Sequence, residues 1–250
     1  MSLSRATSPQ TVHAAERTLT KTVGYKYLLA LPETHHIDVT RRWPVLLFLH
    51  GSGERSDDPW SAAKHGPPKL LRSEGLSAQE RLAARKLREN FIVVSPVCPK
   101  NTWWDTEGVL AVLDEVLASH RVDPGRVYLT GMSMGGYGAW ALGTALPDRF
   151  AAIAPVCGGG EFAAAFMSSN HKRDALQSLG VWAFHGAKDP IVPVTESERM
   201  AAMLKHMGVK HVDLTLYPEA QHDSWTETYA NPALYDWFLH HQRSTSRGGA

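Results

Sequence analysis

The chain has 250 residues, of which 43% are hydrophobic, and its 26 basic and 25 acidic side chains leave a formal net charge of +1. This is ordinary globular composition with material for a sizeable core, and the length suits one large α/β domain or two small ones. The near-neutral charge removes the electrostatic case for nucleic acid or anionic membranes, and no apolar run approaches the ~18 residues of a membrane span.

The opening stretch, MSLSRATSPQTVHAAERTLT, lacks the apolar core of a signal peptide. A cytoplasmic protein is expected; a secreted one whose leader had been removed would read the same. Residues 1–17 and the tail 243–250 carry little apolar pattern and read as flexible ends around a single domain spanning 18–242. Tyr25–Leu31 reads as a strand paired with the residues before it across Gly24. Pro44–His50, Phe91–Pro96, Arg126–Gly131, Ala151–Val156, Val181–Gly186 and Asp213–Pro218 are short apolar runs of the kind that form strands buried on both faces.

Helical patterns lie between these runs. Ser77 and Glu80 form a capping box opening a helix toward Asn90. Val109, Leu110, Val112, Leu113, Val116 and Leu117 repeat at helical spacing. Thr195 and Glu198 form a second capping box, with Gly208 at the far end of its helix, and Asn231-Pro232 caps the last one. The alternation specifies an α/β fold: a mainly parallel central sheet with helices on both faces. Sites in such sheets form beyond the carboxyl ends of the strands, so the loops to search are those that follow each strand.

The loop after the run Arg126–Gly131 contains Gly131-Met-Ser-Met-Gly135, followed by a helical stretch. Gly-x-Ser-x-Gly between strand and helix is the pattern of a nucleophile elbow, though about one random chain in ten of this length would contain the five residues alone. A serine hydroxyl needs a base, and the base needs a partner that fixes its tautomer. His222, after the last strand, is the candidate base and Asp189, after the preceding strand, its partner. The order Ser133, Asp189, His222 is the one this architecture uses. The alternative role for Asp189 is that of a turn or capping residue before Pro190; Asp223 is badly placed to reach its neighbour's ring, and Asp213 begins a strand. The Met134 amide, at a helix start, and the Ser52 amide are candidate oxyanion donors, with Gly51 and Gly53 letting backbone approach the substrate. Trp103, Trp104 and Trp225 are candidate pocket walls. Glu54 and Arg55 read as holding the oxyanion loop, Met132 and Met134 as packing, and His50 and His185, each ending a buried strand, as tying loops beneath the site.

Together FLHGSGER, GPPKLL, CPKNTWW, GMSMGGYGAW, HGAKDPIVPV and HDSWTETY resemble the α/β-hydrolase superfamily, above all single-domain bacterial esterases of the phospholipase/carboxylesterase and polyhydroxybutyrate-depolymerase-like group. The resemblance runs from about Tyr25 to Phe238, and implies ester hydrolysis through an acyl-enzyme with the triad and oxyanion loop at those positions. Asp57-Asp58 stands where many relatives carry a glycine-containing loop after the Glu-Arg pair.

The expected function is a serine carboxylesterase for short-chain or aromatic acyl esters, with no metal or cofactor required. The alternatives are feruloyl or acetyl esters on polysaccharides, or a polyester, handled by the same triad; a peptidase, or a non-catalytic binding protein on this scaffold, stands further off. The partner is a small-molecule ester, free or polymer-linked; self-association is left open. Residues 158–180 should form a short cap over the site. In the expected sheet order two strands separate Cys98 from Cys157, about 14 Å at ~4.8 Å per strand, which predicts two free thiols.

Overall fold

The computed structural model describes residues 20–72 and 74–243; the expected N-terminal segment and all but one residue of the expected tail lie outside that range. Among the described residues seven strands form one sheet: β1 (Tyr27–Ala30), β2 (Trp43–Leu49), β3 (Ile92–Pro96), β4 (Val122–Met132), β5 (Ala152–Val156), β6 (Gly180–Gly186) and β7 (His211–Tyr217). The order across the sheet is β1-β3-β2-β4-β5-β6-β7. All neighbours are parallel except β1, which runs antiparallel to β3 with Tyr27 opposite Pro96. The partner of β1 is therefore β3, not the residues across Gly24. Four half-buried residues at a sheet edge carry no local sign of a partner more than sixty positions away.

The continuous apolar runs are buried on both faces. In β2, Val45, Leu47 and Leu49 enter one core while Leu46 and Phe48 enter the other, following the two-residue strand period. The first core is completed by α3 (Thr106–Ser119), α4 (Met134–Ala145) and α7 (Thr195–His206). The second is completed by α1 (Gly66–Arg72), α2 (Ala78–Asn90), α8 (Trp225–Ala230) and α9 (Pro232–His240). Segment 158–180 holds α5 (Phe162–His171) and α6 (Arg173–Ser178).

Local signals set the helix ends. The Ser77–Glu80 capping box opens α2, and Asn231 Oδ1 accepts the Ala233 amide at the start of α9. The second expected box fails: α7 is preceded by Val194 already in right-handed helical conformation, with no side-chain cap. The backbone carbonyls of Pro193 and Val194 accept the first-turn amides, so Thr195 lies inside the helix. Gly208, at φ +82, ends that helix as expected. Cys98 and Cys157 are buried free thiols with β2 and β4 between their strands.

Candidate active site

β4 ends at Met132 and α4 begins at Met134, leaving Ser133 alone between them at φ 52, ψ −117. A non-glycine residue at positive φ is strained and persists only where its surroundings hold it. Here the Ser133 amide donates to Val156 O at 2.9 Å, and Ser133 O accepts the Tyr137 amide at 3.0 Å. The two motif glycines allow strand and helix to close around the turn. A Cβ on Gly131 would lie 2.2 Å from Gly135 O, and one on Gly135 would lie 1.9 Å from Leu49 O. Gly136, unassigned in the sequence reading, is equally confined: its Cβ would lie 2.4 Å from Val156 O. The doubled glycine after the serine was the available signal.

The three candidate side chains arrive from three strand ends. Ser133 Oγ is 2.9 Å from His222 Nε2, and His222 Nδ1 is 2.7 Å from Asp189 Oδ2. Asp189 Oδ1 accepts the Ile191 amide at 2.8 Å and the Val192 amide at 3.0 Å. Burial opposes charge on this carboxyl, but the His222 hydrogen bond and the two amides outweigh it and hold its pKa below the ordinary value. The carboxylate thus fixes the proton on Nδ1 and leaves the Nε2 lone pair facing the hydroxyl, an arrangement able to accept the serine proton. Asp223 instead turns to the first turn of α8, accepting from the Thr226 amide and hydroxyl.

Beside the serine lies the loop after β2. Ser52 opens a short 3-10 turn (Ser52–Glu54) and Met134 opens α4, so neither amide has an acceptor within its own helix. A Cβ on Gly51 would sit 3.6 Å from Ser133 Cβ, whereas one on Gly53 would meet nothing within 4 Å. Two side chains, His50 and Arg55, fasten this loop to the loop after β3. His50 Nδ1 donates to Gly51 O at 2.7 Å and Nε2 accepts the Cys98 amide at 2.9 Å, a tautomer set by those partners. Arg55 donates to Ser52 O at 3.0 Å and Thr102 O at 3.1 Å. Glu54 is buried beneath the turn, 3.7 Å from His65 Nε2 and 3.8 Å from Lys64 Nζ.

The aromatic candidates divide. Trp103 is 56% exposed and faces the Tyr137 ring edge-on at 6.2 Å. Tyr137 lies in the first turn of α4, where its amide donates to Ser133 O at 3.0 Å. Trp225 stands edge-on to the His222 ring at 5.4 Å. Trp104, expected at the pocket wall, is in the core at 8% exposure, with its indole N–H donating to His50 O at 3.2 Å. It supports the loop from below. Met132 and Met134 are buried in opposite cores. Among the described residues, no group of three or more His, Cys, Asp or Glu side chains is arranged to hold a metal ion, and no helix is long and apolar enough to cross a membrane.

A mostly parallel sheet between helix layers, with a serine elbow and a histidine and a carboxylate at later strand ends, defines an α/β-hydrolase. The dienelactone hydrolase family model matches residues 97–236, and the chain belongs to that family of hydrolases. It is 25% identical over 192 residues to a protein of Aspergillus terreus described as "Probable feruloyl esterase C", covering 76% of this chain and 65% of that one. It is also 25% identical over 222 residues to the bifunctional acetylxylan esterase/xylanase XynS20E of Neocallimastix patriciarum, covering 82% of this chain and 28% of that one. The chain thus spans less than two thirds of the length of either relative. Among solved structures, a thermostable esterase superposes with a TM-score of 0.70 at 30% identity, covering 87% of this chain and 59% of that one.

Proposed function

We propose that the protein is a serine carboxylesterase acting on short-chain or aromatic acyl esters. The observation that carries this reading is the continuous chain from Asp189 through His222 to Ser133, with links of 2.7 and 2.9 Å. His222 Nε2 takes the Ser133 proton as Oγ attacks the ester carbonyl carbon. The carbonyl oxygen becomes an oxyanion held by the Ser52 and Met134 amides. The His222 imidazolium, steadied by Asp189, then gives its proton to the leaving alkoxide, and the C–O bond breaks to leave acyl-Ser133. Water repeats the sequence, releasing the acid and restoring the serine.

The exposed Trp103, edge-on to Tyr137, supports an aromatic acyl group or a sugar ring beside the reacting ester. This favours, as a second reading, feruloyl or acetyl esters carried on a polysaccharide. The test is hydrolysis of p-nitrophenyl esters from acetate upward, and of methyl ferulate, by wild type and Ser133→Ala. Turnover lost in the variant, together with single labelling of the wild type by a serine-directed phosphonate, supports the proposal. Equal rates in both proteins refute it. Activity rising steadily with acyl length past about eight carbons refutes the short-chain preference.

A further inference from the structure

His185 is the last side chain of β6 before Gly186; it is fully buried, and the reaction sequence above does not use it. Its Nε2 lies 3.0 Å from Val192 O and 3.3 Å from Asp189 Oδ2. Both are pure acceptors, so Nε2 carries the ring proton. Nδ1 lies 2.7 Å from Ser197 Oγ on α7, and that hydroxyl lies 3.1 Å from Gly158 O in the loop after β5.

Asp189 Oδ2 therefore faces two imidazoles, His222 at 2.7 Å and His185 at 3.3 Å, while Oδ1 faces two amides. The carboxylate side chain is fully buried, with no solvent to replace a lost donor. We propose that His185 is a positioning residue for the reaction: its Nε2–H locks the Asp189 carboxylate in the orientation that presents Oδ2 to His222, and draws off part of the negative charge that His222 feels. The inference rests on the proposed triad. Tyr137 of α4, Cys157 after β5 and His222 after β7 are the other titratable groups that face this carboxylate, while Ser197 of α7 faces the His185 ring. Burial pushes the Cys157 thiol up to about 12, so it stays neutral across the working range and does not compete for that role.

Losing the His185 donor has two separable consequences. Asp189 gains freedom to turn, which lowers kcat. More charge is left on Oδ2, which favours the protonated His222 ring, so the acid limb of kcat/KM moves to higher pH. The experiment compares wild type, His185→Phe and His185→Gln on p-nitrophenyl acetate across pH 5–9. Gln places an amide N–H near the position of Nε2. For His185→Phe the expected result is a fall in kcat of about tenfold, a KM changed less than about twofold and an acid limb displaced upward by about half a pH unit, with most of each change restored in His185→Gln. Loss of activity with an unmoved acid limb and no rescue by Gln overturns the proposal and leaves His185 a packing residue. Should either variant fail to fold, the 15N shifts of the wild-type histidines decide: an unprotonated Nε2 on His185 refutes the proposal. Ser133→Ala is the control, since wild-type rates in that variant sink the triad itself, whereas an inert Ser133→Ala beside a normal His185→Phe sinks only the role given to His185.

Discussion

Acid should weaken the fold measurably through His50. This ring is buried without exposed surface between the loop after β2 and the loop after β3, and burial depresses its pKa from 6.5 to about 4. The Cys98 amide points its proton at Nε2, so a protonated ring would set donor against donor there. In the unfolded chain the ring takes up its proton near pH 6.5, and in the folded protein only near pH 4. Between those values the unfolded state binds more protons, so stability contributed by His50 is complete above about pH 7 and falls as the pH drops through this window. At 1.36 kcal/mol per pH unit of difference, the loss between pH 7.5 and pH 5 is about 2 kcal/mol. Other groups titrate in the same range, so the assay is a difference. Urea unfolding of wild type and His50→Gln, followed by tryptophan fluorescence at pH 5, 6 and 7.5, should give a pH dependence about 2 kcal/mol smaller in the variant. Gln retains an acceptor for the Cys98 amide and does not titrate. Identical pH dependence in the two proteins would refute the account of His50 as a neutral clasp.

Asp189→Asn removes the charge that holds the His222 tautomer, and stopped or steady-state assays should show kcat reduced about 10³- to 10⁴-fold with circular dichroism unchanged. Gly135→Ala would put a methyl group 1.9 Å from Leu49 O, so it should yield insoluble or grossly destabilised protein, while Gly53→Ala, with nothing within 4 Å, should leave the Tm within about 2 °C of wild type. Equal thermal melts for the two alanine variants would contradict the packing described for the elbow. Trp103→Ala should raise KM for an aromatic acyl ester about fivefold while leaving acetate hydrolysis unchanged. An equal loss on both substrates would place Trp103 in support of the loop instead.

Much of this was legible in the sequence because a parallel sheet is written in it twice. Each central strand is a short apolar run, since both faces are covered, and each run is followed by its own loop at the same sheet edge. That geometry brings Ser133, Asp189 and His222, distant in sequence, to one end of the sheet. What was not legible depended on backbone geometry or on contacts across elements. The pairing of β1 was hidden because an edge strand of four half-buried residues names no partner. The Thr195 box had the right residues, but the chain at Val194 is already helical, and a hydroxyl cannot cap a turn that has begun upstream of it. The approach of His185 to Asp189 needs the turn at Gly186 to fold back, where a Cβ would lie 2.0 Å from Gln221 O; composition gives no sign of that closeness.

Trp103 and Trp104 show why neighbouring residues of one type take opposite roles. Asp105 caps α3, and its own amide donates to the Tyr25 hydroxyl at 2.8 Å, so the direction in which the chain enters the helix is fixed. With that entry fixed, Trp104 turns inward, meeting Tyr25 edge-on at 5.6 Å and giving its only donor to His50 O. Trp103, one residue earlier, is thereby turned outward toward Tyr137. The inward ring is tied to His50, His50 to Cys98, and Arg55 to Thr102, so the two loops brace each other from beneath. The exposed Trp103 ring is not one of these ties. It follows that substitutions at Trp103 should alter which ester is preferred without loosening the loop that carries the Ser52 amide, whereas substitutions at Trp104 should lower activity on every ester alike, because they release the His50 carbonyl and the loop above it.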